Sequence, residues 1–144
     1  MGIVILGFVL RIWNLGKLSI WVDEGLNYVA AKSILISGLP YHHDNILYFR
    51  AFLYTLLDIL PVYFFESSEI AIRLIPLLTS MVIIVISYIF VKQVSSKKIS
   101  ILVALLLSFS NFFIFYSRYN RFYIVIALLI ILFLLFLDKF LSLP

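Results

Sequence analysis

Residues 74–91, LIPLLTSMVIIVISYIFV, form a run without a single charged side chain. A run of this length approaches the roughly 20 apolar residues that an α-helix needs to cross a bilayer. Two further uncharged runs follow, at residues 99–116 and 122–137, and short polar segments separate the three runs. The pattern therefore predicts three consecutive membrane helices joined by tight turns.

The overall composition agrees with a membrane protein. Of the 144 residues, 65% are hydrophobic and only 12% are charged, and the mean hydropathy is +1.18. A soluble domain has about a quarter of its residues charged. The chain has no cysteine, which excludes disulfides and thiolate metal sites, and its net charge of +4 comes from scattered basic residues, so we expect no nucleic-acid partner. We predict one all-α, multi-pass domain over residues 1–144, located in the cell membrane.

The N-terminal hydrophobic segment is interrupted by Arg11. It lacks the basic start and the small-residue cleavage site of a signal peptide, and only residues 3–10 are uninterrupted. We predict a fourth span at about residues 3–20, in which Arg11 reaches the interface or pairs structurally, unless further residues lie upstream of Met1. The four predicted spans are then 3–20, 74–91, 99–116 and 122–141.

Residues 21–73 form a long loop with two predicted surface helices. The first covers residues 23–37, where Asp23 can cap its start, and Gly38 with Pro40 ends it. The second, residues 51–65, is apolar but short and contains Asp58 and Pro61, which favours a helix lying in the interface over a span. If residues 51–65 crossed the membrane instead, Asp23 and Arg118 would lie on opposite sides of it and could not form one site.

Basic residues are divided between the two sides of this topology. The loop side holds six and the other side four, a count that argues against placing the loop outside. The densest basic cluster, Lys92 with Lys97 and Lys98, nevertheless favours the cytoplasm for the short turn. Six of the seven acids lie on the loop side and balance its charge, so we assign the loop to the outside. The loop-side bases are Lys17, Lys32, Arg50, Arg73, Arg118 and Arg121; the others are Lys92, Lys97, Lys98 and Lys139.

Five motifs occur in a familiar order along the chain. Together they resemble the N-terminal part of the GT-C membrane glycosyltransferases, in the branch of the protein mannosyltransferases and aminoarabinose transferases (families 39 and 83). Members of that family usually have several hundred residues and more spans, and a proline pair that is absent here after Arg50. The motifs are RIWNLG (11–16), WVDE (21–24), RAFLY (50–54), SEIAIRLIP (68–76) and YSRYNRFY (116–123).

The resemblance implies transfer of a sugar from a polyprenyl- or dolichyl-phosphate donor to a hydroxyl or amine of a protein, glycan or lipid acceptor. Asp23 would be the catalytic base, with a pKa raised by partial desolvation, and Glu24 would orient the acceptor. Arg50, Arg118 and Arg121 would bind the donor phosphate, because a guanidinium suits phosphate oxygens. The family requires no cofactor but allows a divalent metal ion, for which Glu24 and His43 are the candidates.

Each assignment has a structural alternative. Asp23 and Glu24 are also typical of a helix first turn. Arginines at span ends anchor helices in the interface, and the pair His42–His43 is common in solvated loops. Arg73 is predicted to pair with Glu66 or Glu69.

Two other functions compete with catalysis. The chain could be a non-catalytic membrane protein, either a truncated copy or a subunit of a larger transferase. It could also be a fragment of a transporter or flippase. The second is disfavoured because residues 74–91 contain only Thr79, Ser80, Ser87 and Tyr88 as polar side chains.

Overall fold

The computed structural model describes residues 2–17, 19–42, 44–65 and 69–142, and in these ranges the regular secondary structure is helical. Three helices precede a short 3-10 turn, and four follow it. They are α1 (Gly2–Ile12), α2 (Val22–Ser37), α3 (Phe52–Phe65), the 3-10 turn Ala71–Arg73, α4 (Leu74–Val94), α5 (Lys97–Phe109), α6 (Asn111–Tyr116) and α7 (Tyr123–Leu141).

Within the described ranges, two helical stretches are long and apolar enough to cross a membrane. They are Ala71–Val94, which joins the 3-10 turn to α4, and Tyr123–Leu141. Both agree with predicted spans. The helices α1 and α3 are apolar but shorter, at 11 and 14 residues.

The predicted span 99–116 is not one helix. It consists of α5 and α6, which meet at Ser110 in extended conformation. The Ser110 hydroxyl accepts a hydrogen bond from the backbone N–H of Phe113 at 3.3 Å and so caps α6. A serine at such a position competes for backbone donors and begins a new helix.

The helix α4 is the centre of the bundle. It packs against α1, α5 and α7, while α2 packs against α3 at the other end of the molecule. Ile83, Ile84 and Leu77 of α4 are buried in this core. By contrast, the buried residue of α7 is Ile124, and most of its other side chains are exposed in the described part of the chain. An apolar surface of this kind is suited to lipid or to further helices.

Arg11 holds the N-terminal helix to the bundle. Its guanidinium is fully buried and donates to the carbonyls of Leu107 at 2.9 Å and Ser108 at 3.1 Å, and to the Ser80 hydroxyl at 3.1 Å. These two carbonyls belong to the last turn of α5. Because the helix ends at Phe109, no backbone N–H of the same helix is placed to donate to them. The structural pairing predicted for Arg11 is therefore confirmed, with a hydroxyl and backbone carbonyls as its partners.

The helix α2 begins one residue earlier than predicted. Trp21 is its first cap residue, Asp23 lies inside the first turn, and the Glu24 carboxylate accepts the Trp21 backbone N–H at 3.1 Å. The prediction that Asp23 caps the helix was wrong, because α2 begins at Val22 and Asp23 is already its second residue. The predicted end at Gly38 is confirmed: its φ of 78° is the left-handed conformation that glycine tolerates best.

The helix α3 presents one apolar and one polar side. Leu53, Leu60 and Phe64 are exposed, whereas Tyr54 and Asp58 are buried against the rest of the molecule. Fourteen residues of α-helix extend about 21 Å, less than the roughly 30 Å of a hydrocarbon core. The length agrees with a helix that lies along the interface.

Candidate functional site

Asp23 and Glu24 are neighbours on α2, but their side chains lie in different surroundings. The Glu24 side chain is fully buried, whereas half of the Asp23 side chain is exposed. Each forms an ion pair with a different arginine, Glu24 with Arg73 and Asp23 with Arg121. The first turn of α2 therefore carries one closed and one open acidic group.

The closed group is held by four hydrogen bonds. Arg73 donates to both carboxylate oxygens of Glu24, from Nε at 3.0 Å and from Nη2 at 2.8 Å. The backbone N–H groups of Asn120 and Trp21 donate to the same carboxylate at 3.0 and 3.1 Å. A buried carboxylate requires partners of this number and geometry. Glu24 thus ties α2, the 3-10 turn and the segment before α7 together.

All three nitrogen atoms of the Arg73 guanidinium donate hydrogen bonds. Besides Glu24, it donates to the carbonyls of Leu15 at 2.8 Å and Ser19 at 3.1 Å. The sequence predicted a nearby partner, Glu66 or Glu69; among the described residues the ion pair of Arg73 is with Glu24, 49 residues earlier. Glu66 lies outside the described residues.

This arrangement does not suit Glu24 as a metal ligand or as an acceptor-binding group. Both of its oxygens already accept hydrogen bonds from protein donors, and its side chain has no exposed surface. His43, the other predicted ligand, lies outside the described residues. Within residues 2–17, 19–42, 44–65 and 69–142, no three metal-ligating side chains form a group.

The open group combines Asp23 with residues of the segment 117–121. Arg121 forms an ion pair with Asp23 Oδ1, and the Tyr119 hydroxyl donates to Oδ2 at 3.4 Å. The hydrogen bond from Arg121 is the main cause that lowers the pKa of Asp23, and the charge of Arg50 acts in the same direction. The sequence predicted a raised pKa. The opposite direction follows because the guanidinium outweighs the loss of solvation.

Arg118 contacts the end of α1. Its Nε donates to the carbonyl of Arg11 at 3.0 Å, and its Nη2 donates to the carbonyl of Leu10. These carbonyls belong to the last turn of α1, so Arg118 caps that helix. The remaining face of its side chain lines a cavity.

The cavity has a volume of about 240 Å³ and lies between the start of α2 and α6. Aromatic rings form one wall: Tyr119 stacks on Phe115 at 5.7 Å and meets Trp21 edge-on at 6.1 Å between ring centroids. Arg118 supplies a cation, and Tyr119 separates the cavity from Asp23, whose carboxylate its hydroxyl contacts. The cavity is lined by Trp21, Glu24, Arg73, Asn111, Ile114, Phe115, Arg118 and Tyr119.

The structure brings most of the predicted site residues together. Asp23 and Arg121 are in contact, Glu24 and Arg118 line one cavity, and Arg50 is close enough to act on the Asp23 carboxylate. The start of α2 and the segment 117–121 therefore lie at the same end of the molecule, as the interfacial interpretation of α3 requires.

Sequence reasoning missed Asn120. Its carbonyl accepts from Asn27 Nδ2 at 2.9 Å, its side-chain oxygen accepts from the Tyr54 hydroxyl, and its N–H donates to Glu24. Asn27 also accepts from the Tyr48 hydroxyl at 3.2 Å. The sequence signal lies in its partner Asn27, which falls on α2 one turn after Asp23 and Glu24, on the same side of the helix.

Comparisons with known proteins identify no relative. No family model matches the sequence, and neither the comparison with curated proteins nor that with solved structures gives a match. The function of the site is therefore argued from its own geometry.

Proposed function

We propose that this protein is a membrane glycosyltransferase of the GT-C type that uses a polyprenyl- or dolichyl-phosphate sugar. In this proposal α1, α4, the pair α5 and α6, and α7 cross the membrane, and α2 and α3 lie on its outer face. The acceptor is a hydroxyl or amine of a protein, glycan or lipid. The observation that carries the proposal is the contact of half-exposed Asp23 with Arg121, 98 residues later in the chain, at one end of the apolar helices.

The chemistry assigned to this site is a displacement at the anomeric carbon of the donor sugar. Asp23 accepts the proton of the acceptor hydroxyl, whose oxygen forms the new bond to the anomeric carbon. The bond from that carbon to the phosphate oxygen breaks, and the lipid phosphate leaves with the electron pair. Arg121 and Arg50 stabilise the growing negative charge on the phosphate. Asp23 is ionised at neutral pH, as a proton acceptor must be, and its lowered pKa makes it a weaker base than an ordinary carboxylate.

The cavity beside Tyr119 supports a place for the donor head group. Its aromatic rings can pack against a sugar ring, and Arg118 can bind the phosphate. Tyr119 lines the cavity and also contacts Asp23. Glu24 is excluded from this chemistry by its four protein partners, and we assign it a structural role.

The test is Asp23→Asn in the protein expressed from its own gene and kept in its native membrane. The measurement is release of polyprenyl phosphate from labelled polyprenyl-phosphate sugars. Because general-base catalysis contributes about 10²- to 10⁴-fold, we expect the rate to fall by that factor. Asp44→Asn is the matched control, since Asp44 is an exposed carboxylate on the same loop. Equal rates in both variants would refute the assignment of Asp23.

A non-catalytic membrane subunit is the second candidate function. The observation that favours it is the uncovered surface of α7, on which Ile126, Ile130 and Phe133 are exposed. This function predicts no release from any lipid-linked sugar by the isolated chain, and release only when a larger transferase is co-purified with it.

A further inference from the structure

The guanidinium of Arg121 is buried, and only part of it is bonded. Nη2 forms the ion pair with Asp23, and the Tyr119 hydroxyl lies near the guanidinium, whereas Nε and Nη1 have no hydrogen-bond partner among the described residues. A guanidinium has donors and no acceptor, and a buried charged donor without an acceptor is costly. Asp23 therefore accounts for one end of this cation, and the rest of it calls for a second acceptor.

An acid with the complementary need lies on the buried side of α3. The Asp58 side chain has no exposed surface, and neither of its carboxylate oxygens has a hydrogen-bond partner within the described ranges. The hydroxyl of Thr55, one turn earlier on the same side of the helix, is buried and unpartnered as well. A carboxylate accepts hydrogen bonds and carries a negative charge, so Asp58 can supply what the free end of Arg121 lacks.

Tyr54 and Asn120 indicate that the two side chains border the same buried space. Asn120 directly precedes Arg121 in the chain, and its side chain interacts with the Asp58 carboxyl. Burial is the main cause that raises the pKa of the Tyr54 hydroxyl; the charge of Asp58 raises this pKa further, and the charge of Arg121 opposes the rise. The same hydroxyl donates to the Asn120 side chain. Asp58 and Arg121 therefore both lie around one hydroxyl group.

The charge state of Asp58 depends on its surroundings. Burial raises the pKa of Asp58 to about 8, and the Asn120 amide opposes part of that rise, so the acid without a cation would be neutral at pH 7. A cation that faces the carboxyl favours the ionised form. Of the charged groups that act on Tyr54, Glu24 already pairs with Arg73, which leaves Arg121 as the cation for Asp58.

We propose that Arg121 is shared by two carboxylates, Asp23 of α2 and Asp58 of α3, and that Asp58 is a positioning group that holds the guanidinium from its buried side. Because Asp23 occupies Nη2, the other two nitrogens remain as donors for Asp58 and for the Thr55 hydroxyl. One consequence rests on the proposed function: when Asp23 takes up the acceptor proton and loses its charge, Asp58 keeps Arg121 in place. The sharing itself does not depend on sugar transfer.

A double-mutant cycle of Asp58→Asn and Arg121→Gln tests the pair in the full chain, with the thermal unfolding midpoint in lipid membranes as the readout. We expect Asp58→Asn to lower the midpoint of the parent protein. In the Arg121→Gln background it should no longer lower the midpoint, because the carboxylate has already lost its cation. Asp138→Asn, at the far end of α7, is the control and should act equally in both backgrounds. An equal effect of Asp58→Asn in both backgrounds would overturn the proposal.

A second cycle tests the sharing. Asp23→Asn and Asp58→Asn each leave Arg121 with one carboxylate, and the double variant leaves it with none. The midpoint of the double variant should therefore fall by more than the sum of the two single changes, because a buried cation without any counter-charge is strongly destabilising. A fall equal to that sum would mean that the two acids do not share the guanidinium. Neither cycle measures sugar transfer, so failure of the proposed function leaves both results valid.

Infrared spectra of the parent protein decide the question if Asp58→Asn does not fold. A carboxyl that shares Arg121 is ionised, so we expect no neutral-carboxyl C=O band at neutral pH that disappears as the pH rises through about 8. Such a band would show Asp58 in its neutral form, without the cation, and the proposal would fail.

Discussion

The first turn of α2 carries two acidic side chains, each in an ion pair with an arginine, and the two acids differ in their access to water. On one side Glu24 and Arg73 are sealed from solvent, and backbone donors and acceptors complete their bonding. On the other side Asp23 is half-exposed, and its carboxylate contacts the buried Arg121 and the Tyr119 hydroxyl. The difference teaches that adjacent acids in one motif can be assigned to structure and to chemistry by the access of water to each. A sealed pair cannot exchange partners with a substrate, whereas an open pair can.

The largest predicted effect breaks the sealed pair. Glu24→Gln leaves the Arg73 guanidinium buried without a counter-charge, which costs about 3–5 kcal/mol. We expect a strongly lowered thermal unfolding midpoint, or loss of the folded protein from the membrane. Glu69→Gln is the matched control, because Glu69 is exposed in the segment just before the 3-10 turn. Equal stability of the two variants would remove the distinction between sealed and open pairs.

A smaller effect is expected at Arg118, which lies between the two sides. Arg118→Met removes two hydrogen bonds from the last turn of α1, to Arg11 and to Leu10, and should cost about 1–3 kcal/mol. Arg118→Lys retains the charge but not the fork of donors. If Lys restores stability without restoring donor release, Arg118 acts on the phosphate as well as on the helix end.

The smallest effect on stability is expected on the open side. Asp23→Asn should change the unfolding midpoint less than Glu24→Gln, because half of the Asp23 side chain is exposed to water, although Arg121 is buried. The size of this effect depends on pH. The pKa of Asp23 is lowered in the folded protein, so the pair stabilises it above the ordinary value of 3.8 and ceases to do so as the pH falls below that value. Unfolding midpoints measured in the two proteins should therefore converge in acid; a constant difference down to strongly acid pH would contradict the pairing.

Much of the fold was predictable because apolar runs and turn residues act locally. The run 74–91, the run 122–141 and the glycine that ends α2 all correspond to observed elements. The break at Ser110 was missed, since a serine within an apolar run does not by itself interrupt a helix. The four-span topology and the sugar chemistry stay predictions.

The site was predictable only in part, because its closed half depends on contacts between distant segments. The sequence indicated Asp23 and Arg121, and the structure brings them into contact. It predicted a partner for Arg73 that is close in sequence, whereas the fold brings Glu24 of α2 to it. Asp58 was used only as an argument against a span. Which residues form a buried ion pair depends on how whole helices pack against each other. A sequence pattern does not give the distance between residues on different helices.

The bond between Arg11 and α5 has a consequence for the order of events during synthesis. Arg11 precedes its carbonyl partners Leu107 and Ser108 by 96 and 97 residues. At about 5–20 residues per second, the ribosome needs roughly 5–20 s to supply them. For that interval the guanidinium can bond to the Gly7 carbonyl and, once α4 has been made, to the Ser80 hydroxyl, while its remaining N–H donor needs water. The end of α1 is fully bonded only when the end of α5 arrives.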